Sequence, residues 1–316
     1  MPVAGQVRRL PRCFAADAHN AEVLFPYLNG EDLNSRPDSS ASRWVIDFEG
    51  WDEAKAAGYK LPFERVAQLV KPDRQRLKPD GSYALRSPLP SRWWQYAEKR
   101  PAMRSAIADL SEALVIARVS KTVMPLRVPT GQVPSEACVV FATDDYSDQA
   151  VLSSSLHQVW AITYGSTLET RVRYTPSDVF ETFPRPPVTA RLEAAGRSLD
   201  VERRAIMRHC DIGLTQLYNR VNDSTVHSDE DVERTRAIHI EVDEAAIAAY
   251  GWDDVALEHG FHEFRKMVRW SISPIARVEI LDRLLLENHR RGANSTRGTP
   301  APVDEAVLWE TDSLFD

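Results

Sequence analysis

The 316-residue sequence predicts an α+β protein, a mixed strand-rich lobe to about residue 189 followed by an α-helical domain to about residue 291. Three observations carry that prediction. Short apolar runs separated by turn signals fill the first half. Pro184, Pro186 and Pro187 then deny the backbone both helix and central-strand hydrogen bonds, which marks a boundary. Beyond them apolar residues return at helical spacing.

Residues 1–19 show no periodicity and are expected to be a disordered leader. Val23 to Leu28 is an apolar run closed by the turn pair Asn29-Gly30, and Ser42 to Phe48 is a second candidate strand. Asp52 to Ala57 and Phe63 to Val70 are short helix candidates, stopped by Gly58 and before Pro72. Residues 71–92 suit an exposed loop. A helix candidate, Ala102 to Leu110, leads to strand candidates at Leu114–Val119, Leu126–Val128 and Ala137–Ala142. Ser147 can cap one helix running through Tyr164, with Val151, Leu152, Leu156, Val159 and Trp160 on one stripe, His157 beside it as a core histidine, and Gly165 as the stop.

After the prolines, Leu192, Leu199, Ile206, Cys210, Leu214, Leu217 and Val221 predict a long amphipathic helix with Gly196 and Gly213 as weak points. A second helix is expected from Asp229 to Tyr250. A third starts with Ser273 as cap and Pro274 at the first helical position, and buries Val278, Leu281, Leu284 and Leu285. Residues 292–316 are expected to be a disordered tail.

The composition excludes several function classes. No run of eighteen apolar residues and no signal-peptide core is present, so the chain is expected in the cytoplasm. Cys13, Cys138 and Cys210 form no C-x-x-C pair, which argues against a disulfide framework and a zinc site. The net charge of −7 conceals an asymmetry. Residues 1–130 hold 20 Lys/Arg against 15 Asp/Glu, whereas 190–316 hold 16 against 24. Within 65–104 the balance is 10 basic to 3 acidic, with Tyr83, Trp93, Trp94 and Tyr96 interleaved, a local footprint for a polyanion.

Residues 165–187 couple a paired-arginine strand to the proline exit. Alternation along a strand directs Thr170, Val172 and Tyr174 to a core, while Arg171 and Arg173 project from the other face about 7 Å apart. Two guanidinium forks at that spacing suit neighbouring phosphates or a guanine edge. Arg92, Trp93, Trp94, Lys99 and Arg100 form an aromatic-basic cluster that can cover phosphates or stack on an unpaired base, or whose indoles can anchor a domain seam. Asn29 can read adenine bidentately, and Asp32 can cap backbone.

Two metal-like patterns are mimics. Asp38 with Glu53 and Lys55 imitates a magnesium nuclease, but Glu53 and Lys55 fall on a solvated helix face. His259, His262 and Glu263 imitate a metal box without its order, and Gly260 breaks the helix such a box needs.

Residues 165–187, together with Phe25–Leu33, Ser42–Phe48, Ala117–Lys121, Ser153–His157 and Trp160, resemble in matching order the target-recognition region of large bacterial adenine-specific DNA methyltransferases and fused type II restriction-methylation enzymes, including those of phage-defence systems. The resemblance covers roughly residues 20–290 and implies a target-recognition domain over 20–189 and a helical domain over 190–291. Arg118 and Lys121, where the family pattern repeats, become the first candidates for DNA contact, with Arg171 and Arg173 second. It implies double-stranded DNA and a methyltransferase or restriction subunit as partners. The glycine-rich S-adenosylmethionine loop and the Asn-Pro-Pro-aromatic motif are absent from this sequence, so S-adenosylmethionine is expected in a partner or missing domain, with no catalytic or metal-binding residue here. Because the resembled proteins carry a methyltransferase domain upstream, Met1 is expected to mark a split gene or truncated reading frame. The alternatives are a split methyltransferase active in trans and an interaction scaffold of a defence complex.

Overall fold

The computed structural model describes residues 17–168, 171–264 and 267–295. Asp17 caps a 3-10 turn, Ala18–Val23, that feeds β1 (Leu24–Leu28). The Asn29-Gly30 pair does not make a hairpin turn. Asn29 and Asp32 form a reciprocal capping box that starts helix α1 (Gly30–Ser35), a signal of polar cap followed three residues later by a carboxylate. The chain continues through β2 (Arg43–Ile46), α2 (Glu53–Ala57), α3 (Lys60–Leu69), α4 (Lys71–Arg74) and α5 (Pro101–Ala106). Next come β3 (Glu112–Ala117), β4 (Val119–Ser120), β5 (Leu126–Pro129), β6 (Val133–Pro134) and β7 (Cys138–Phe141).

The helix expected from Ser147 to Tyr164 is two helices, α6 (Tyr146–Ser153) and α7 (Ser155–Tyr164). Ser154 adopts an extended conformation and caps α7 by accepting from the His157 amide. The Ser155 amide and hydroxyl both donate to the buried Asp243 carboxylate at 2.6 Å, which holds the break. Then follow β8 (Ser166–Leu168), β9 (Arg171–Arg173), α8 (Pro176–Val179), α9 (Ala190–His209), α10 (Leu214–Val221), α11 (Glu230–Tyr250), β10 (Gly260–Phe264), β11 (Met267–Ser271) and α12 (Pro274–Ser295). The long helix expected from 192 to 221 breaks at Gly213, where an added Cβ would lie 2.4 Å from the Ser35 carbonyl carbon. On α12 Leu284 is buried and Leu281 packs half-buried against the same core, as expected, joined by Ala276 and Ile280, whereas Val278 is 63% exposed.

Four small sheets result, with orders β2-β1-β6, β5-β3-β7, β4-β9-β8 and β10-β11. β3 organises the interior because its alternate residues enter different cores. Leu114 and Ile116 join a core with α6, α7, α9, α11 and α12, while Val115 and Ala117 join a second with Leu28, Leu33, Met207, Leu217 and Tyr218. Both cores therefore combine residues from before and after the prolines at 184–187. The expected boundary separates strand-rich from helical sequence without separating their packing. A third core, Val23, Phe48, Ala56, Tyr59, Val66, Trp93 and Trp94, belongs to the first hundred residues alone. The structure differs from the expected leader and tail at their inner ends, since 17–19 cap and open the first turn and 292–295 lie in α12; 1–16 and 296–316 lie outside the described residues.

Candidate nucleic-acid interface

β9 is placed by its neighbours on both sides, with Arg173 opposite Val119 of β4 and Ser166 of β8. Val172 and Tyr174 are 5% and 1% exposed. Arg173, on the other face, is exposed, and Arg171 is half-buried. The sequence alternation thus holds over 171–174, while Thr170 lies outside the described residues. Behind the strand, His157 and Tyr174 form a core pair: His157 Nε2 lies 2.9 Å from the Tyr174 hydroxyl and Nδ1 lies 2.9 Å from the Leu152 carbonyl. The carbonyl can only accept, so Nδ1 carries a proton. Burial pushes the His157 pKa down to about 4.

Arg118 links this strand to the β3 sheet. Its amide donates to Ala137 at 2.8 Å and its carbonyl accepts from the Tyr174 amide at 2.7 Å. Its half-buried guanidinium has a lowered pKa, first from desolvation and then from the positive charges of Arg100 and Arg173, with Glu136 acting in the opposite direction. Arg118 Nε is buried without a hydrogen-bond partner. Arg100 approaches from the start of α5, donating from Nη1 to the Ser135 carbonyl at 3.1 Å. Its φ is +44°, a left-handed conformation uncommon for a residue with a side chain. Three guanidinium groups from distant sequence positions therefore converge. Lys121, directly after β4, is exposed, and its carbonyl accepts from Arg269 at 3.1 Å.

Of the two readings of the aromatic-basic cluster at 92–100, the indoles take the anchoring one. Trp93 and Trp94 are 3% and 9% exposed and belong to the third core, where Trp94 Nε1 donates to the Trp51 carbonyl at 3.0 Å. These indoles present no face for a base. Lys99 donates to Gln95 at 2.5 Å, which draws it toward the same core, and Arg92 remains exposed. Asn29 is corrected: its Oδ1 accepts from the Glu31 and Asp32 amides at 2.8 and 3.0 Å. Bidentate adenine reading needs that oxygen.

Three residues at this surface gave no signal in the sequence. Tyr27, Ser135 and Glu136 reach it by contacts across about a hundred residues, including the Tyr27 hydroxyl donating to Glu136 at 3.4 Å. No spacing rule connects positions 27, 100, 118, 136 and 173.

The metal mimics are occupied elsewhere. His259 Nε2 is 2.8 Å from Asp243 and His262 Nε2 is 2.9 Å from the Glu258 carbonyl. Lys55 lies over the Trp51 ring at 3.7 Å. Among the described residues no three His, Cys, Asp or Glu side chains gather to hold a metal ion. Cys138 is buried with its thiol pushed up to about 11, mainly by desolvation. No helix of the described residues is long and apolar enough to cross a membrane.

Comparison with known proteins agrees with this architecture. The solved structure of the Type IIL restriction-modification enzyme MmeI in complex with DNA is similar in fold, with a TM-score of 0.60 at 16% identity. The match covers 89% of this chain and 33% of that one, so this chain spans about a third of the solved enzyme. No curated protein gives a significant sequence match. The family model for the MmeI target recognition domain matches residues 16–187, more than half of the chain, and takes in every converging arginine. The chain belongs to the MmeI target recognition domain family.

Proposed function

We propose that this chain is the DNA sequence-recognition module of a restriction-modification enzyme. The observation that carries the reading is Arg118, a desolvated guanidinium with an unpartnered buried Nε, held beside Arg100 and Arg173. Like charges brought together repel, and a row of phosphates is a counter-charge that this arrangement accepts. Arg171 on β9 and Lys121 just after its neighbour β4 extend the surface, and Arg92 adds an exposed cation. MmeI, which shares the fold, was solved on DNA, and that supports the reading.

Within this reading Arg and Lys side chains fix the position on duplex DNA and a few polar groups read bases. A methyltransferase or restriction subunit binds S-adenosylmethionine and performs the chemistry. The sequence here lacks the glycine-rich loop for that cofactor.

A salt titration of duplex DNA binding tests the proposal. Each phosphate contact contributes a slope of about −0.9 in log K against log salt. Changing Arg171→Glu and Arg173→Glu together is expected to flatten the slope by about 2 with the folded circular dichroism spectrum retained. A wild-type affinity independent of salt would remove phosphate contact from the proposal.

A further inference from the structure

We propose that the groove between β2 and α3 is the docking site of residues 303–316 of this same chain, an acidic segment interleaved with large apolar side chains. The inference is independent of the DNA-recognition reading.

The groove holds about 900 Å³ and runs beside β2, the edge strand of the β2-β1-β6 sheet. Leu61, Arg65 and Leu69 line one wall at a spacing of four along α3, so they share one face of that helix. Val66 and Trp93, buried in the third core, lie beneath. Leu61 and Leu69 are 42% and 58% exposed, which leaves apolar surface turned to water inside a concavity. Arg65 and Arg74 reach the same groove. Arg74 Nη1 donates to the Trp93 and Gln95 carbonyls at 3.1 and 2.6 Å, and among the described residues no carboxylate pairs with either arginine. Desolvation without a counter-charge lowers the Arg74 pKa.

The occupant that fits is therefore apolar and anionic at once. Duplex DNA meets only half of this, because its phosphates pair with arginines but leave Leu61 and Leu69 uncovered. Residues 303–316 meet both conditions. Val307, Leu308, Trp309, Leu314 and Phe315 are apolar, and Asp304, Glu305, Glu310, Asp312 and Asp316 bring five carboxylates with no Lys or Arg. The receiving stretch, 65–104, holds 10 Lys/Arg against 3 Asp/Glu, so the two charge patterns are complementary. Reach is sufficient. The last turns of α12 are fixed beside the prolines, where Arg291 donates to the Arg185 carbonyl at 2.8 Å. From Ser295 to Trp309 the extended chain spans up to about 48 Å, roughly the diameter of a compact chain of this length.

Carbodiimide cross-linking of the full chain, read by mass spectrometry, tests the docking, since it joins carboxylates to nearby lysines. Lys60 opens α3, and Lys71 Nζ lies over the Trp93 ring at 4.5 Å, so both report on the groove. Links from the carboxylates of 303–316 to Lys60 or Lys71 are expected within one chain. Leu308→Asp with Trp309→Asp, and separately Arg65→Glu with Leu69→Asp, are each expected to lower their yield at least about tenfold with the folded circular dichroism spectrum retained. Hydrogen exchange over Lys60–Leu69 is expected to quicken in the Leu308 and Trp309 variant, which reads docking without a cross-link. Absence of these links together with unchanged exchange, or a yield that neither pair of substitutions alters, overturns the proposal. In a mixture of isotopically light and heavy chains, links joining light to heavy assign the groove to a second copy and overturn docking within one chain.

Discussion

Replacing Gly196 by Ala tests whether the helices after the prolines are packed into the recognition half. Gly196 lies in α9 where it crosses α6, and an added Cβ would sit 1.9 Å from the Tyr146 carbonyl oxygen, 2.8 Å from its carbon and 3.2 Å from the Ala150 nitrogen. The obstacles are backbone atoms, which no rotamer change can remove. Ordinary contact needs about 3.5 Å, so the helices must part locally by roughly 1.5 Å. Leu192, Ala195 and Leu199 flank the crossing, each 7% exposed or less, and lose contact as it opens. Overpacking of this kind costs about 3 kcal/mol, and Ala regains about 1 kcal/mol in helix propensity. The expected net loss is about 2 kcal/mol, or a fall of roughly 4–8 °C in melting temperature followed by circular dichroism. Gly292 on α12 supplies the control, because a Cβ there meets nothing within 4 Å. Gly292→Ala is expected to stabilise by about 0.5–1 kcal/mol. A Gly196→Ala chain as stable as Gly292→Ala would refute the close crossing.

Three further outcomes follow from the structure. The pKa values of buried His157 and His239 are both pushed down to about 4, first by desolvation, so both rings are neutral when folded. The unfolded chain takes up their protons near pH 6.5, so stability is full above that pH and falls as pH drops from 6.5 toward 4; unfolding free energies from urea titrations at pH 7.5 and 5 should differ by about 2 kcal/mol per histidine, and equal values would contradict neutral burial. Trp93→Ala is expected to cost about 3–5 kcal/mol in urea unfolding with the salt slope of DNA binding intact, and a stable variant that loses DNA binding would restore the indole to the interface. Asn29→Ala should cost about 1 kcal/mol through loss of the α1 cap, read by the melting temperature, with DNA affinity unchanged.

The legible parts of the sequence are those governed by local physics. Asp229, Ser273 and Pro274 mark helix starts through backbone geometry that a few residues decide, and the structure caps α11 and α12 there. Val172 between Arg171 and Arg173 is equally local, since alternation needs only a strand. Failure begins where distant chain intervenes. The α6–α7 break was hidden because Asp243, 88 residues away, rewards a kink that helical periodicity does not show. Which edge of the α12 stripe is covered depends on its partners, so Val278 and Ile280 were indistinguishable as apolar residues. At the site, arginine content was visible but convergence was not, and the adjacent tryptophans gave identical sequence signals for stacking and for core.

A net charge of −7 is compatible with the proposed role because the relevant quantity is local. Arg118 loses hydration, faces two other guanidinium groups and leaves Nε unpaired, while Arg100 holds a left-handed backbone conformation beside it. Each feature opposes folding of the isolated chain. Packing of β3 and β9 into the first core over-determines the backbone and so keeps the arginines together. In the proposed role a polyanion bound against the exposed part of the cluster offsets that repulsion.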